Sequence, residues 1–131
     1  MAINFNHTII SARDSKVSAN FFAEILGLPS PSSFGPFIVV TTDNDVNLDF
    51  MATTKEIQPR HYAFLISESE FDMIFKRIRD KNIPYWADHK KEFPQQINNN
   101  DGGRGLYFND PNGHFLEILT QPYGSDLLQK I

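Results

Sequence analysis

Gly105-Leu106-Tyr107-Phe108-Asn109-Asp110-Pro111-Asn112-Gly113-His114-Phe115-Leu116-Glu117-Ile118 reads as two strands joined by a tight turn. Leu106 to Asn109 and Phe115 to Thr120 have strand character, and Asp110-Pro111-Asn112-Gly113 is a strong hairpin signal. Proline presets φ for such a turn, and Asn-Gly supplies the left-handed positions. On the second strand Glu117 shares a face with Phe115 and Leu119. A carboxylate set among apolar neighbours needs a strong partner, because burying it unpaired costs several kcal/mol, on the order of 3 to 5.

The chain upstream of this hairpin runs through the same pattern twice. His61 to Ser67 is a strand with His61, Ala63 and Leu65 on one face and Tyr62, Phe64 and Ile66 on the other. Ser67 or Ser69 caps a helix to about Asn82, with Phe71, Ile74, Phe75 and Ile78 as its buried stripe. Ile83-Pro84 ends it, Tyr85 to Asp88 forms a short strand, and Asn98-Asn99-Asn100-Asp101-Gly102-Gly103 reads as a mobile polar loop. In the first half, residues 3–10 form a strand with His7 and Ile9 on one face. A helix capped by Asp14 or Ser15 follows and stops at Gly27, and the breaker-rich 28–33 segment leads to strands at Phe37–Thr42 and Val46–Met51. Leu48-Asp49-Phe50-Met51 stands beside Leu116-Glu117-Ile118-Leu119 as the closing strand of its half. The expected architecture is α+β: one domain over 1–131, built of a module at 1–55 and a second at 59–123 that pack or close into a cup. The tail after Gln121 is assigned no element.

Composition narrows the function classes. Twelve Lys and Arg against sixteen Asp and Glu give a formal charge of −4 with no long basic run, which argues against nucleic acid and membrane surfaces as partners. No apolar stretch has the length of a membrane span, and Met1 to Asn6 lacks the basic and apolar regions of a secretory signal, so a cytoplasmic location is expected. The absence of cysteine removes thiol catalysis, thiolate metal sites and disulfides. Twelve Phe against one Trp imply an apolar core or pocket wall without polar handles.

His7, His61 and Glu117 each sit in a strand among apolar neighbours, at matching places in the two halves. Two imidazoles and a carboxylate facing one cavity make the ligand set of a divalent-metal site with open positions. Each also has a plainer reading: a strand-opening histidine satisfied within a partial core, or Glu117 paired with Arg104 or Lys90. Arg104, between Gly103 and Gly105, is a candidate for binding an anionic substrate group, with a solvated side chain as its plain alternative. Tyr62 and Tyr107 are candidates for lining the pocket or donating a hydrogen bond, and the pattern does not choose between them. His89 and His114 read as exposed or structural.

Phe5-Asn6-His7-Thr8-Ile9-Ile10, Phe21-Phe22-Ala23-Glu24-Ile25-Leu26-Gly27-Leu28, His61-Tyr62-Ala63-Phe64 and the hairpin quoted above together resemble the vicinal oxygen chelate superfamily. That superfamily includes glyoxalase I, extradiol dioxygenases, fosfomycin-resistance enzymes and bleomycin-resistance proteins. The resemblance implies paired βαβββ modules around a divalent metal (Fe, Mn, Zn or Ni) with His7, His61 and Glu117 as ligands. It implies a small substrate chelated through two neighbouring oxygens, in isomerase, lyase or ring-cleaving dioxygenase chemistry, and a homodimer. Asp49 occupies the place of the fourth ligand of glyoxalase-like members but is one methylene shorter, so it is a ligand, a partner of a ligand or a general base. The competing reading is a metal-free binder of drugs, as in bleomycin resistance. A weaker one is fosfomycin-type chemistry, since the segment after Glu117 lacks the basic residue expected for a phosphonate.

Overall fold

A computed structural model describes residues 2–125; Met1 and residues 126–131 of the tail lie outside the described residues. The described residues divide into two compact units, residues 2–58 with 110–112, and residues 59–109 with 113–125. Each runs strand, helix, three strands, so the α+β reading with two βαβββ modules holds.

In the first unit β1 (His7–Ala12) leads into α1 (Ser15–Leu26), then β2 (Ser32–Phe34), β3 (Phe37–Thr41) and β4 (Asn47–Ala52). The sheet order is β1-β4-β3-β2, with β1 parallel to β4 and the other pairs antiparallel. Asp14 caps α1 by accepting from the Lys16 and Val17 amides, and Gly27 closes it at φ +70°, where a side chain would be strained. Period-two alternation sends Ile10, Ala12, Leu48, Phe50 and Val40 to the helix side, where they are buried with Ala19, Phe22 and Ile25. The Phe22 and Phe50 rings meet edge to face at 4.8 Å. The opposite face carries His7, Ile9, Asp49 and Val39, with Asp49 paired across to both Ile9 and Val39.

The second unit repeats this order with β5 (His61–Leu65), α2 (Glu68–Asp80), β6 (Tyr85–Trp86), β7 (Gly105–Asn109) and β8 (Phe115–Leu119). Its sheet runs β5-β8-β7-β6, again with one parallel pair, β5 and β8. Ser67 and Glu70 form a reciprocal capping box at the start of α2. Phe71, Ile74 and Ile78 of α2 are buried with Leu106, Phe108, Leu116 and Ile118.

The registers of the two units match. The residue two beyond His7 pairs with Asp49, and the residue two beyond His61 pairs with Glu117. Asp49 and Glu117 therefore hold equivalent positions by hydrogen-bonded register.

Three elements differ from the sequence expectation. β1 starts at His7 rather than residue 3, since β4 begins only at Asn47 and gives the earlier residues no ladder partner beyond the Asn47 amide bonded to the Asn6 carbonyl. Ser32–Phe34 is a strand, not a loop: Gly35 at φ +56° and Pro36 turn it back onto β3 despite its polar, exposed sequence. The 90–104 segment is tied down rather than loose. The Asn98 amide and carbonyl both bond Gly105, its side chain donates to the Ala87 carbonyl, and a 3₁₀ turn covers Asn100–Gly102.

Candidate functional site

In both units the candidate ligands, His7 and Asp49 in the first and His61 and Glu117 in the second, occupy the sheet face that carries no helix. Within the second unit β8 places Phe115, Glu117 and Leu119 on that face, β5 contributes His61 and β7 contributes Tyr107, directly across from Glu117. His61 Nε2 lies 3.1 Å from Glu117 Oε1, with the histidine about half exposed and the carboxylate mostly covered, at 49% and 16%. His61 Nδ1 is 2.9 Å from the Phe115 carbonyl oxygen, which accepts only, so Nδ1 carries the proton. In the neutral ring Nε2 is then a bare lone pair, aimed at an oxygen that also accepts. A proton or a cation between them satisfies both, and that is the geometry of a histidine oriented for metal through its other nitrogen.

Tyr107 completes the arrangement. Its ring stacks at 5.3 Å on Phe115 and at 6.0 Å on His61. Its phenol is pushed up to about 12, first by burial, then by the charge of Glu117, a hydrogen bond to that carboxylate and the charge of Asp88. It stays protonated across the physiological range and donates to Glu117. Tyr62 lies on the other face, its register partner being the buried Leu116 and its ring set edge-on to the buried His114 at 5.7 Å. The structure thus separates the two tyrosines that the pattern left equal: alternation along β5 turns Tyr62 away from His61 and Glu117, whereas Tyr107 lies across from Glu117.

Within the first unit His7 opens β1, exposed, with Nδ1 2.8 Å from Asn6 Oδ1. That contact likewise leaves Nε2 as the outward nitrogen. Asp49 is half-buried on the same face. Among the described residues no three His, Asp or Glu side chains form a group that holds an ion, so His61 and Glu117 are the ligand candidates brought into contact. Their chemistry fits a divalent metal: one imidazole nitrogen and one carboxylate oxygen, both oriented by further hydrogen bonds.

Arg104 has other partners. Nε donates to Glu68 Oε1 at 2.7 Å, Nη1 to Asp72 Oδ1 at 2.9 Å, and the guanidinium lies 4.4 Å from the centre of the Phe71 ring. The hydrogen bonds to Asp72 and Glu68 raise its pKa. The expected anion-binding arginine is thus engaged with α2, because α2 presents two acidic residues one turn apart.

The pattern missed an aromatic floor beside the pair. Trp86, Phe115 and Tyr107 form a row, with Trp86 and Phe115 at 6.3 Å, and Lys91 Nζ sits 4.6 Å from the Trp86 ring centre and 5.0 Å from that of Phe115. Face parity from Glu117 identifies Phe115, but nothing local in the sequence brings Lys91 over it. A separate cleft of about 390 Å³, between Arg79, Asn82, Tyr85 and Gln95, lies by the end of α2 and the β6 edge and includes neither His61 nor Glu117.

Known proteins share the fold and much of the sequence. The family model of the Glyoxalase/Bleomycin resistance protein/Dioxygenase superfamily matches residues 4–118. A solved structure, oxidase ChaP-H1, is 57% identical with a TM-score of 0.92, over 94% of this chain and 99% of that one. Oxidase ChaP-H2 is 56% identical with a TM-score of 0.93, over 96% and 99%. The glutathione transferase FosA of Serratia marcescens is 27% identical over 90% of this chain and 81% of its own length. With the family model matching residues 4–118, across both units, the chain belongs to the glyoxalase, bleomycin-resistance and dioxygenase superfamily.

Proposed function

We propose that the chain is a divalent-metal-dependent oxidase acting on a small substrate that presents two adjacent oxygens. The observation that carries this reading is the His61–Glu117 pair, with Nδ1 of the histidine committed to the Phe115 carbonyl. Similarity to two proteins named as oxidases, at more than half identity over nearly the full chain, favours oxidative chemistry over isomerase or lyase chemistry. A bound metal would supply Lewis acidity and a chelation point for the two oxygens. His61 offers Nε2 and Glu117 its carboxylate, while Tyr107 donates to that carboxylate and fixes its rotamer. His7, with Nδ1 held by Asn6, is the candidate ligand that the first unit offers, and Asp49 is the candidate base on the same sheet face.

The test is metal content by elemental analysis, wild type beside His7→Ala, His61→Ala and Glu117→Ala, followed by oxygen uptake with catechols. Near-stoichiometric Fe or Mn, lost in each variant along with oxygen uptake, is the expected result. Unchanged metal content in both His61→Ala and Glu117→Ala would sink the proposal. The relatives named glutathione transferase FosA and metallothiol transferase FosB support a second reading, thiol transfer of the fosfomycin-resistance type, at about half the identity of the oxidases. Growth protection against fosfomycin would favour it. Tight ligand binding unaffected by EDTA would instead favour a metal-free binder.

A further inference from the structure

We propose that Lys91 is the specificity residue of this site: it selects substrates that carry an anionic oxygen, carboxylate or phenolate, beyond the two that chelate. The proposal rests on the oxygen-chelating function proposed above and adds the charge of the substrate to it. Three observations converge on Lys91. Its ammonium stands over two rings of the floor, and one of these, Phe115, also contacts His61, at 6.3 Å between ring centres. It therefore stands one ring removed from the metal-ligand pair. Among the described residues no carboxylate pairs with it, whereas Arg104 is consumed by Glu68 and Asp72. Finally, its backbone is held in place at a conformational cost. Lys91 has φ +60°, a region a lysine enters at a cost of about 1 kcal/mol or more. The loop around it is built to hold that turn: Asp88 accepts from the Glu92 and Phe93 amides, and the Lys91 amide bonds the Asp88 carbonyl.

The chemistry follows from what an ammonium on a ring face can do. The ring faces attract the cation without neutralising it, so its N–H groups stay available to an anion. A ligand lying on Tyr107 and Phe115 with two oxygens toward His61 and Glu117 would bring its far edge to Lys91. A charged hydrogen bond there, in a partly dry place, corresponds to about tenfold in affinity. An ordinary surface lysine lying over apolar rings would give no such selection, and the two cases are separable.

The experiment uses protein loaded with Mn(II) and measures calorimetric affinity for catechol, 3,4-dihydroxybenzoate and 3,4-dihydroxyphenylacetate. All three chelate through the same two oxygens, and two carry a carboxylate at different reach. Wild type is expected to prefer at least one carboxylated ligand by about tenfold over catechol. Lys91→Met is expected to abolish that preference and leave catechol affinity unchanged, and Lys91→Arg to keep most of it. Metal-dependent binding with the same preference in Lys91→Met, or with no preference in wild type, overturns the role of Lys91 alone. Failure of all three ligands to bind the Mn(II)-loaded protein overturns the chelating function and this proposal with it.

Discussion

Glu117 is oriented by the phenol of Tyr107, which donates to its carboxylate. Removing the phenol leaves the carboxylate in place but free to rotate, so Tyr107→Phe is expected to weaken metal affinity by about 10- to 100-fold with little change in fold. Competition with a chelator of known affinity measures that loss. The face assignment of Glu117 was legible from the sequence, since a carboxylate alternating with Phe115 and Leu119 has one side to face. Alternation already set Tyr62 on the face opposite His61, whereas the place of Tyr107 was not legible, because it depends on the cross-strand register that sets it opposite Glu117. Arg104 was misplaced for a similar reason: its neighbours in sequence are glycines, while its partners, Glu68 and Asp72, lie more than thirty positions away.

Helix starts and stops were the most legible features, since caps are local chemistry. Asp14, Gly27 and the Ser67 box all act within four residues of themselves. The box gives a prediction: Ser67→Ala removes the acceptor of the Glu70 amide and is expected to lower stability by about 1 kcal/mol in denaturant unfolding. It also gives a pH dependence. The Ser67 amide, then its hydroxyl, lower the pKa of Glu70. A carboxyl lowered by folding contributes stability above its unfolded value of 4.5, and that contribution disappears as pH falls through the lower folded value. Acid unfolding of Glu70→Gln below pH 4.5 should accordingly be shallower than that of wild type, the midpoint in urea being followed against pH. β2 was the element least legible from its own residues. Ser32-Ser33-Phe34 has no strand pattern, and the hairpin turn at Gly35-Pro36, not propensity, lays it against β3.

At the scale of the molecule, no helix among the described residues is long and apolar enough to cross a membrane. Binding that requires the folded state adds to stability by mass action. Metal at a hundredfold excess over its dissociation constant is expected to add about 2.7 kcal/mol and so to raise Tm by several degrees, in wild type and not in Glu117→Ala. Differential scanning fluorimetry with and without EDTA reads both arms. We also propose a homodimer, for which light scattering should return twice 15.0 kDa. The order of elements in the two units was readable because each repeats the same punctuation, whereas their shared register was not, being a property of hydrogen bonds and not of residue types. One detail of the first sheet bears on how the protein behaves when concentrated. β2 is one of its two edge strands, three residues long, wholly exposed, and fenced by Pro31 before it and Pro36 after it. A proline offers no amide to a docking strand, so along this edge another chain finds at most three residues to pair with, too few to seed a fibril there.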